Sequence, residues 1–276
     1  MAIKLIALDL DNTTLNSAGK LSPGNRQALE EAIDRNVNVV IATGRCKGAL
    51  PEEVTDIKGV QYAITSNGAQ IVDLRSGKAI YSNCIAPDSV VAAEKILHKY
   101  EYMDYMVEVF VDGVAYMERQ VYEDVKSGRD SHRHRDYVVN TRNPKENLLG
   151  FLLDNRNEIE NINIFFATME DKDKLYPVLQ TIPNVTLTTS LDSNWEIGGA
   201  TTSKASALKE LARELNVKKS EIMACGDSPN DGDMLRASGV PVAVGNAKPV
   251  IKEIASFISG TNDEDGVATA VRKYVL

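Results

Sequence analysis

The apolar run Ile3 to Leu8 passes directly into Asp9-Leu10-Asp11-Asn12-Thr13-Thr14-Leu15, and this junction restricts the possible folds more than any other stretch. A mainly aliphatic run of six residues that ends in carboxylates reads as a buried parallel strand opening onto polar space. In an open parallel sheet the ligand crevice lies beyond the carboxyl ends of the strands, where these acids fall. Side chains alternate along a strand, so Asp9 and Asp11 are expected on the same side. Two carboxylates facing one small volume repel unless a cation, a shared proton or a reaction uses them. Taken alone, Asp-Asn-Thr-Thr is equally good turn and helix-cap chemistry.

The same pattern repeats downstream. Ser22-Pro23 reads as an N-cap with a first-turn proline, and Ala28, Leu29, Ala32 and Ile33 give the following helix one apolar face. Val37 to Ala42 is a second strand that delivers Thr43-Gly44-Arg45 to its end. Gly44 lets backbone N–H groups approach a phosphate, whereas Thr43 alone is as readily a helix cap. Val60 to Thr65 is a third strand, followed by Ser66-Asn67-Gly68. Asn67 there serves either a substrate or the turn itself. Gln70 to Leu74 and Lys78 to Tyr81 then read as a hairpin.

From about Asn83 the strand–helix rhythm changes. A helix is expected from Pro87 to Tyr100, and Asp112-Gly113 marks a hairpin between Met106 to Val111 and Val114 to Met117. Helical Asn147 to Leu153 and Lys172 to Gln180 then alternate with strands Ile159 to Phe166 and Asn184 to Thr188. Hairpins mixed with helices indicate an inserted α+β domain over residues 83–193. The Arg129 to Arg135 run within it, which includes His132 and His134, reads as a solvated loop. Two histidines without a third ligand make a weak metal site. A less favoured reading has one of these arginines grip an anionic substrate.

The first rhythm returns in residues 194–276. Thr202-Ser203-Lys204 leads a helix with Ala207, Leu208, Leu211 and Leu215 on one face, and by itself Lys204 reads as a surface lysine. Ile222 to Ala224 is a strand running into Cys225-Gly226-Asp227-Ser228-Pro229-Asn230-Asp231-Gly232-Asp233. That loop lacks the twelve-residue ligand spacing and closing Glu of an EF-hand. Val240 to Val244 adds a strand, and Glu264 to Val275 closes the chain as an amphipathic helix. The expected fold class is therefore α/β, a doubly wound parallel-sheet core over residues 1–82 and 194–276 with an α+β insertion.

Charge and composition narrow the partners. A net charge of −8 argues against a nucleic-acid or anionic-membrane surface, so a small anionic substrate needs local cations. The acidic start does not resemble a signal peptide, and no apolar run approaches the ~20 residues of a membrane span. Three cysteines far apart, Cys46, Cys84 and Cys225, fit reduced thiols in a cytoplasmic protein.

Strand ends thus carry Asp9 and Asp11, Thr43, and Asp227, Asn230 and Asp231, with Lys204 from an adjoining helix. Several acids with one cation suit a hard divalent ion, and Mg²⁺ is commonly held by one or two carboxylates plus phosphate oxygens. A phosphoryl group needs its oxygens neutralised and its attacking and leaving oxygens in line. Lys204, the Thr43 hydroxyl and backbone N–H groups supply such a cradle. Asp9 is then the candidate nucleophile and Asp11 the candidate general acid and base.

The succession D-L-D-N-T, Thr43-Gly44-Arg45, Lys204 and G-D-S-P-N-D-G-D-M-L resembles the haloacid dehalogenase superfamily of phosphatases, in its Cof-type branch. The likeness spans about 165 residues of core, with the four motifs in the family's order. It implies a Rossmann-like core with a mobile α/β cap domain between the second and third motifs. It further implies Asp9 as nucleophile and Mg²⁺ ligand, and Asp11 as acid/base and, through its backbone carbonyl, metal ligand. Thr43 and Lys204 are implied on the phosphate, Asn230 near it, Asp227 on Mg²⁺, and Asp231 ordering the outer surroundings of the ion. The family usually has Gly where this chain has Asn12, a position needing an unusual backbone angle that Asn tolerates. The stretch before Lys204 is also one residue longer than the common form.

The expected function is Mg²⁺-dependent hydrolysis of small phosphorylated metabolites, such as sugar phosphates or phosphorylated cofactors, through an aspartyl-phosphate. A phosphomutase is the near alternative. A non-catalytic phosphoacceptor or metabolite-sensing module is the alternative of another class, although retention of both Asp9 and Asp11 speaks against it.

Overall fold

In the computed structural model, which describes residues 2–130 and 134–276, the first apolar runs form β1 (Leu5–Leu8), β2 (Asn38–Ala42) and β3 (Tyr62–Thr65), paired in parallel. β4 (Gln70–Asp73) and β5 (Lys78–Ser82) continue that sheet antiparallel. The next six strands make a sheet of their own: β6 (Tyr105–Val111), β7 (Val114–Glu118), β8 (Arg142–Lys145), β9 (Ile159–Phe166), β10 (Val185–Thr188) and β11 (Asn194–Gly199). β12 (Ile222–Gly226), β13 (Val240–Ala243) and β14 (Phe257–Ile258) then rejoin the first sheet, in the order β14-β13-β12-β1-β2-β3-β4-β5.

β1 is buried on both faces, as its unbroken aliphatic sequence requires. Ile6 and Leu8 pack on one side with Ala28, Leu29 and Ala32 of the helix Pro23–Asp34 and Val267 and Val271 of the helix Gly266–Tyr274. Leu5 and Ala7 pack on the other with Ala207, Leu208 and Leu211 of the helix Lys204–Glu214. Helices on both faces of a mostly parallel sheet make an α/β fold. The first helix starts as its sequence indicates: the Ser22 side chain accepts from Asn25 N at 3.1 Å, with proline in the first turn.

The strands formed before the insertion spread from β1 in one direction, and those formed after it spread from β12 in the other. The strand order therefore reverses between β1 and β12. Such a reversal sends the flanking connections to opposite faces and leaves a crevice at the carboxyl ends of these two strands.

The chain divides into two compact units, the second comprising Cys46–Ala49 and Asn83–Thr202. The break in composition puts the return to the core at residue 194. The return comes instead at Ser203, because β11 pairs with β9 and β10 and so belongs to the second sheet. In that unit Asp112 and Gly113 both take positive φ, 49° and 73°, turning β6 into β7 as a tight hairpin. The helices Pro87–Lys99, Leu148–Asp154 and Met169–Leu179 cover one face of the sheet through Val90, Leu97, Leu152 and Leu175. On β6 and β8, Glu108 and Arg142 form a buried ion pair at 2.7 Å. Among the described residues no helix is long and apolar enough to cross a membrane. Cys46 and Cys225 are buried free thiols.

Candidate active site

β1 ends at Leu8, and the next residue, Asp9, is buried where the strand order reverses. Its backbone N–H donates to Cys225 O on β12 at 3.1 Å, and the Thr14 hydroxyl donates to its carbonyl at 2.6 Å. These bonds tie the turn after β1 to the end of β12 and fix the direction in which the carboxylate leaves the sheet. Lys204, the first residue of the helix Lys204–Glu214, is fully buried and places Nζ 2.6 Å from Asp9 Oδ1 and 2.7 Å from Asp231 Oδ1. A lysine that alone reads as a surface residue is therefore the central cation of the site, and its burial is tolerable because both neighbours are carboxylates.

The loop after β12 is built around Asp231. Its Oδ2 accepts from the backbone N–H groups of Asp227 and Ser228, at 2.9 and 3.1 Å. A Cβ at Gly226 would lie 2.5 Å from Asp231 Cβ, so only glycine admits this approach. Asp227 accepts from the hydroxyls of Thr13 at 2.9 Å and Ser228 at 2.7 Å. Neither Thr13 nor Ser228 stands out in the sequence. Their signal, a hydroxyl within two or three residues of each acid, is common and becomes informative only with the contact across 214 positions.

Burial, reinforced by the charge of Asp231, pushes the Asp9 carboxyl well above the usual carboxylate range, with Lys204 acting in the opposite direction. Asp227 is raised by burial and by Asp231, against the pull of its two hydroxyl partners. Burial works to lower the Lys204 ammonium, but Asp231 and Asp9 more than offset it and hold the pKa above the ordinary lysine value. One ammonium among three buried carboxylates leaves the cluster short of positive charge.

That shortage is the test for a metal. Asp9, Asp227 and Asp231 each offer a carboxylate oxygen, and these oxygens lie within 4.8 Å of one another. All-oxygen donors fit a hard divalent cation such as Mg²⁺, and the raised carboxyls of Asp9 and Asp227 are those a second cation would relieve.

Asp11 is placed differently from the expectation that it shares a side with Asp9. The strand alternation ends with β1, and the chain bends through Asp11 (φ −70°, ψ 126°) and a left-handed Asn12 (φ 59°). The Asp11 side chain is 54% exposed, and its two oxygens accept from Arg45 Nη2 at 2.6 Å and Nε at 2.9 Å. Asn12 thus adopts the left-handed backbone region that Asn and Asp enter more readily than other side chains. Its carbonyl accepts from Asn246 Nδ2 at 2.8 Å.

Thr43 and Gly44 leave the sheet at the end of β2, beside β1. Thr43 is buried, and its hydroxyl accepts from Arg45 N at 3.1 Å. The turn after β3 is pinned to this loop, with Asn67 N on Thr43 O at 3.1 Å and Ser66 N on Arg45 O at 2.8 Å. Asn230 reaches the same place, donating from Nδ2 to Asn67 Oδ1 at 3.1 Å. Gly68 sits at φ 99°, and a Cβ there would fall 2.1 Å from Ser203 O and 3.0 Å from Lys204 N. Gly68→Ala is expected to destabilise the protein by about 1–3 kcal/mol and to lower turnover, since relief of the clash displaces the residue before Lys204. Thermal unfolding and steady-state assays check this, and a melting temperature equal to that of the parent would contradict it.

Of the Arg129–Arg135 run, residues 131–133 lie outside the described residues, including His132 and Arg133. Arg129 Nε donates to Asp124 at 2.7 Å and Arg135 Nε to Lys126 O at 2.7 Å, so these two arginines bind their own neighbourhood.

A doubly wound sheet whose acids and lysine converge at the reversal of strand order defines a hydrolase core of the haloacid dehalogenase type. The model of the haloacid dehalogenase-like hydrolases matches residues 6–271, and the chain belongs to that family. It is an enzyme of the family's phosphatase type, acting on phosphoric monoesters. The chain is similar to the 5-amino-6-(5-phospho-D-ribitylamino)uracil phosphatase YcsE of Bacillus subtilis (strain 168), with 31% identity over 99% of this chain and 96% of that protein. It is also 31% identical to phosphatase YwpJ of the same organism, covering 96% of this chain and 98% of that one. A solved haloacid dehalogenase-like hydrolase from B. subtilis superposes with a TM-score of 0.83 at 29% identity, covering 98% of this chain and 99% of that chain.

Proposed function

We propose that the chain is a Mg²⁺-dependent phosphatase of small cytoplasmic phosphorylated metabolites that works through an aspartyl-phosphate on Asp9. The observation that carries this reading is the buried set Asp9, Lys204, Asp231 and Asp227, gathered from three distant parts of the sequence. Asp9, Asp227 and the backbone carbonyl of Asp11 are the proposed Mg²⁺ ligands, with Asp231 ordering their surroundings. When bound, the ion neutralises charge on the phosphoryl oxygens and lets an anionic nucleophile approach an anionic ester.

The remaining chemistry is assigned to the chain itself. An Asp9 carboxylate oxygen attacks phosphorus, a bond forms between them, and the bond from phosphorus to the leaving oxygen breaks. Asp11 gives its proton to the departing alkoxide. In the second half Asp11 takes a proton from water as that water attacks the phosphorus, returning the Asp9 carboxylate and releasing inorganic phosphate. Lys204 anchors Asp9 and, with Thr43, Gly44 and Asn230, faces the transferring oxygens. The exposure of Asp11 supports this division of labour, since a proton shuttle must reach both leaving group and water.

The similarity to a ribitylaminouracil phosphate phosphatase makes polyol and sugar phosphates the first class to try. The test is phosphate release from p-nitrophenyl phosphate and a panel of sugar, polyol and cofactor phosphates, with Mg²⁺ and with excess chelator. Release that requires Mg²⁺, strongest for a small subset of the panel, is the expected result. No release from any ester would refute the proposal, and release unaffected by chelation would refute its metal dependence.

A further inference from the structure

The amide of Asn230 is satisfied at one end only. Its Nδ2 donates to Asn67 Oδ1 at 3.1 Å, while its Oδ1 is buried without a hydrogen-bond partner. Buried polar atoms in folded proteins nearly always have partners, so an orphan beside a candidate catalytic cluster marks a place where something else binds. The expected visitor, a phosphoryl group, offers chiefly acceptor oxygens and is not matched by a carbonyl oxygen. It is matched by an amide N–H.

Asn67 resolves the mismatch. It is buried in a left-handed backbone conformation (φ 55°), with its N–H held by Thr43 O. Its amide lies over Gly44, where a Cβ would meet Asn67 Oδ1 at 3.2 Å. The last torsion of an asparagine side chain is broad and roughly two-fold, so turning an amide over changes its hydrogen bonding and hardly its shape. If both amides turn together, Asn67 Nδ2 donates to Asn230 Oδ1, the orphan is satisfied, and Asn230 Nδ2 points where the orphan had been.

We infer that Asn67 is a positioning residue for phosphoryl recognition: it holds Asn230 by a bond that survives reversal, and with the anion bound that bond runs from Asn67 Nδ2 to Asn230 Oδ1, which leaves Asn230 Nδ2 to donate to the anion. This rests on the proposed phosphatase reading of the same site, and it adds a residue that touches Asn230 rather than the reacting atoms.

The deciding variant is Asn67→Asp. It has the same shape and tolerates the left-handed backbone, but its carboxylate accepts from Asn230 and cannot donate to it. Asn230 is thereby fixed with its carbonyl toward the anion. Titration calorimetry with inorganic phosphate in Mg²⁺ buffer is expected to show binding weakened about tenfold or more, with KM raised more than kcat is lowered. The added charge is separated from the pairing by repeating the change in an Asn230→Ala background. If Asn67 acts through Asn230, Asn67→Asp costs little more there. Asn67→Gly, which keeps the backbone free to stay left-handed, should match Asn230→Ala alone. Equal losses from Asn67→Asp in both backgrounds, unchanged phosphate binding, or no phosphate binding by the parent protein would each overturn the inference. Because binding is read directly, failure to hydrolyse esters would count against the phosphatase reading and not against the amide pair.

Discussion

Asn in place of Asp9 is expected to lower phosphate release by about 10³-fold or more, without loss of the fold. The amide has nearly the shape of the carboxyl, so it opens no cavity and still accepts from Lys204 Nζ, which in the parent lies 2.6 Å from Oδ1. It cannot form the acyl phosphate that water then cleaves. Stability should move in the opposite direction to activity. Burial and Asp231 raise the Asp9 pKa, so between the ordinary carboxylate pKa and the raised one the folded state binds more protons than the unfolded state. In the metal-free parent, stability therefore falls as pH rises through that window. Asn removes this loss, so in chelator the variant should melt no lower than the parent at pH 8, with the difference shrinking as pH falls toward 4. A variant that retains a tenth of the parent turnover would end the nucleophile assignment.

Lys204→Met is expected to be the most destabilising single change in the site. The side chain is fully buried between Asp9 and Asp231, and these acids have oxygens within 4.8 Å of each other and of Asp227. Breaking a buried ion pair by removing one partner costs about 3–5 kcal/mol, which for a chain of this size lowers the melting temperature by roughly 6–20 °C. Met fills most of the volume, so the loss reports charge rather than packing. It should be larger at pH 8 than at pH 5, because protonation of Asp9 relieves the uncompensated repulsion. A divalent cation should restore part of it, stabilising the variant more than the parent. Melting curves with and without Mg²⁺ decide the matter, and equal melting temperatures in chelator would show that Lys204 does not neutralise the acids.

Both effects depend on contacts that differ in how far they can be read from sequence. The helix start at Ser22-Pro23 and the Asp112-Gly113 hairpin are local, each set by backbone preferences within a few residues. The helices Arg119–Ser127 and Arg135–Thr141 are not legible in this way, nor is β8, which contains a proline. Their segments are short and rich in charge, with few apolar residues in each, and they are held by packing among Tyr122, Val125 and Val138. Composition places the return of the chain to the first sheet too early because an apolar strand such as β11 looks the same whichever sheet it joins.

In the site, the candidate residues are legible because carboxylates at the ends of apolar strands are costly unless used. Their grouping is not. Alternation along a strand pairs Asp9 with Asp11, but the strand stops at Leu8 and the left-handed turn at Asn12 sends Asp11 to Arg45. Lys204, indistinguishable in sequence from a solvated lysine, is buried because the start of its helix comes up against Gly68. Thr13 and Asn67 acquire their meaning from partners 214 and 163 positions away.

The amino-acid order by itself determined which segments become buried strands and which residue types stand at their ends, because those follow from hydrophobic periodicity and backbone preference over a few positions. Only the tertiary structure decided which of those ends share one volume and which acid faces water. That follows from strand order and from turns whose direction a single left-handed residue can change, and neither leaves a periodic trace in the chain.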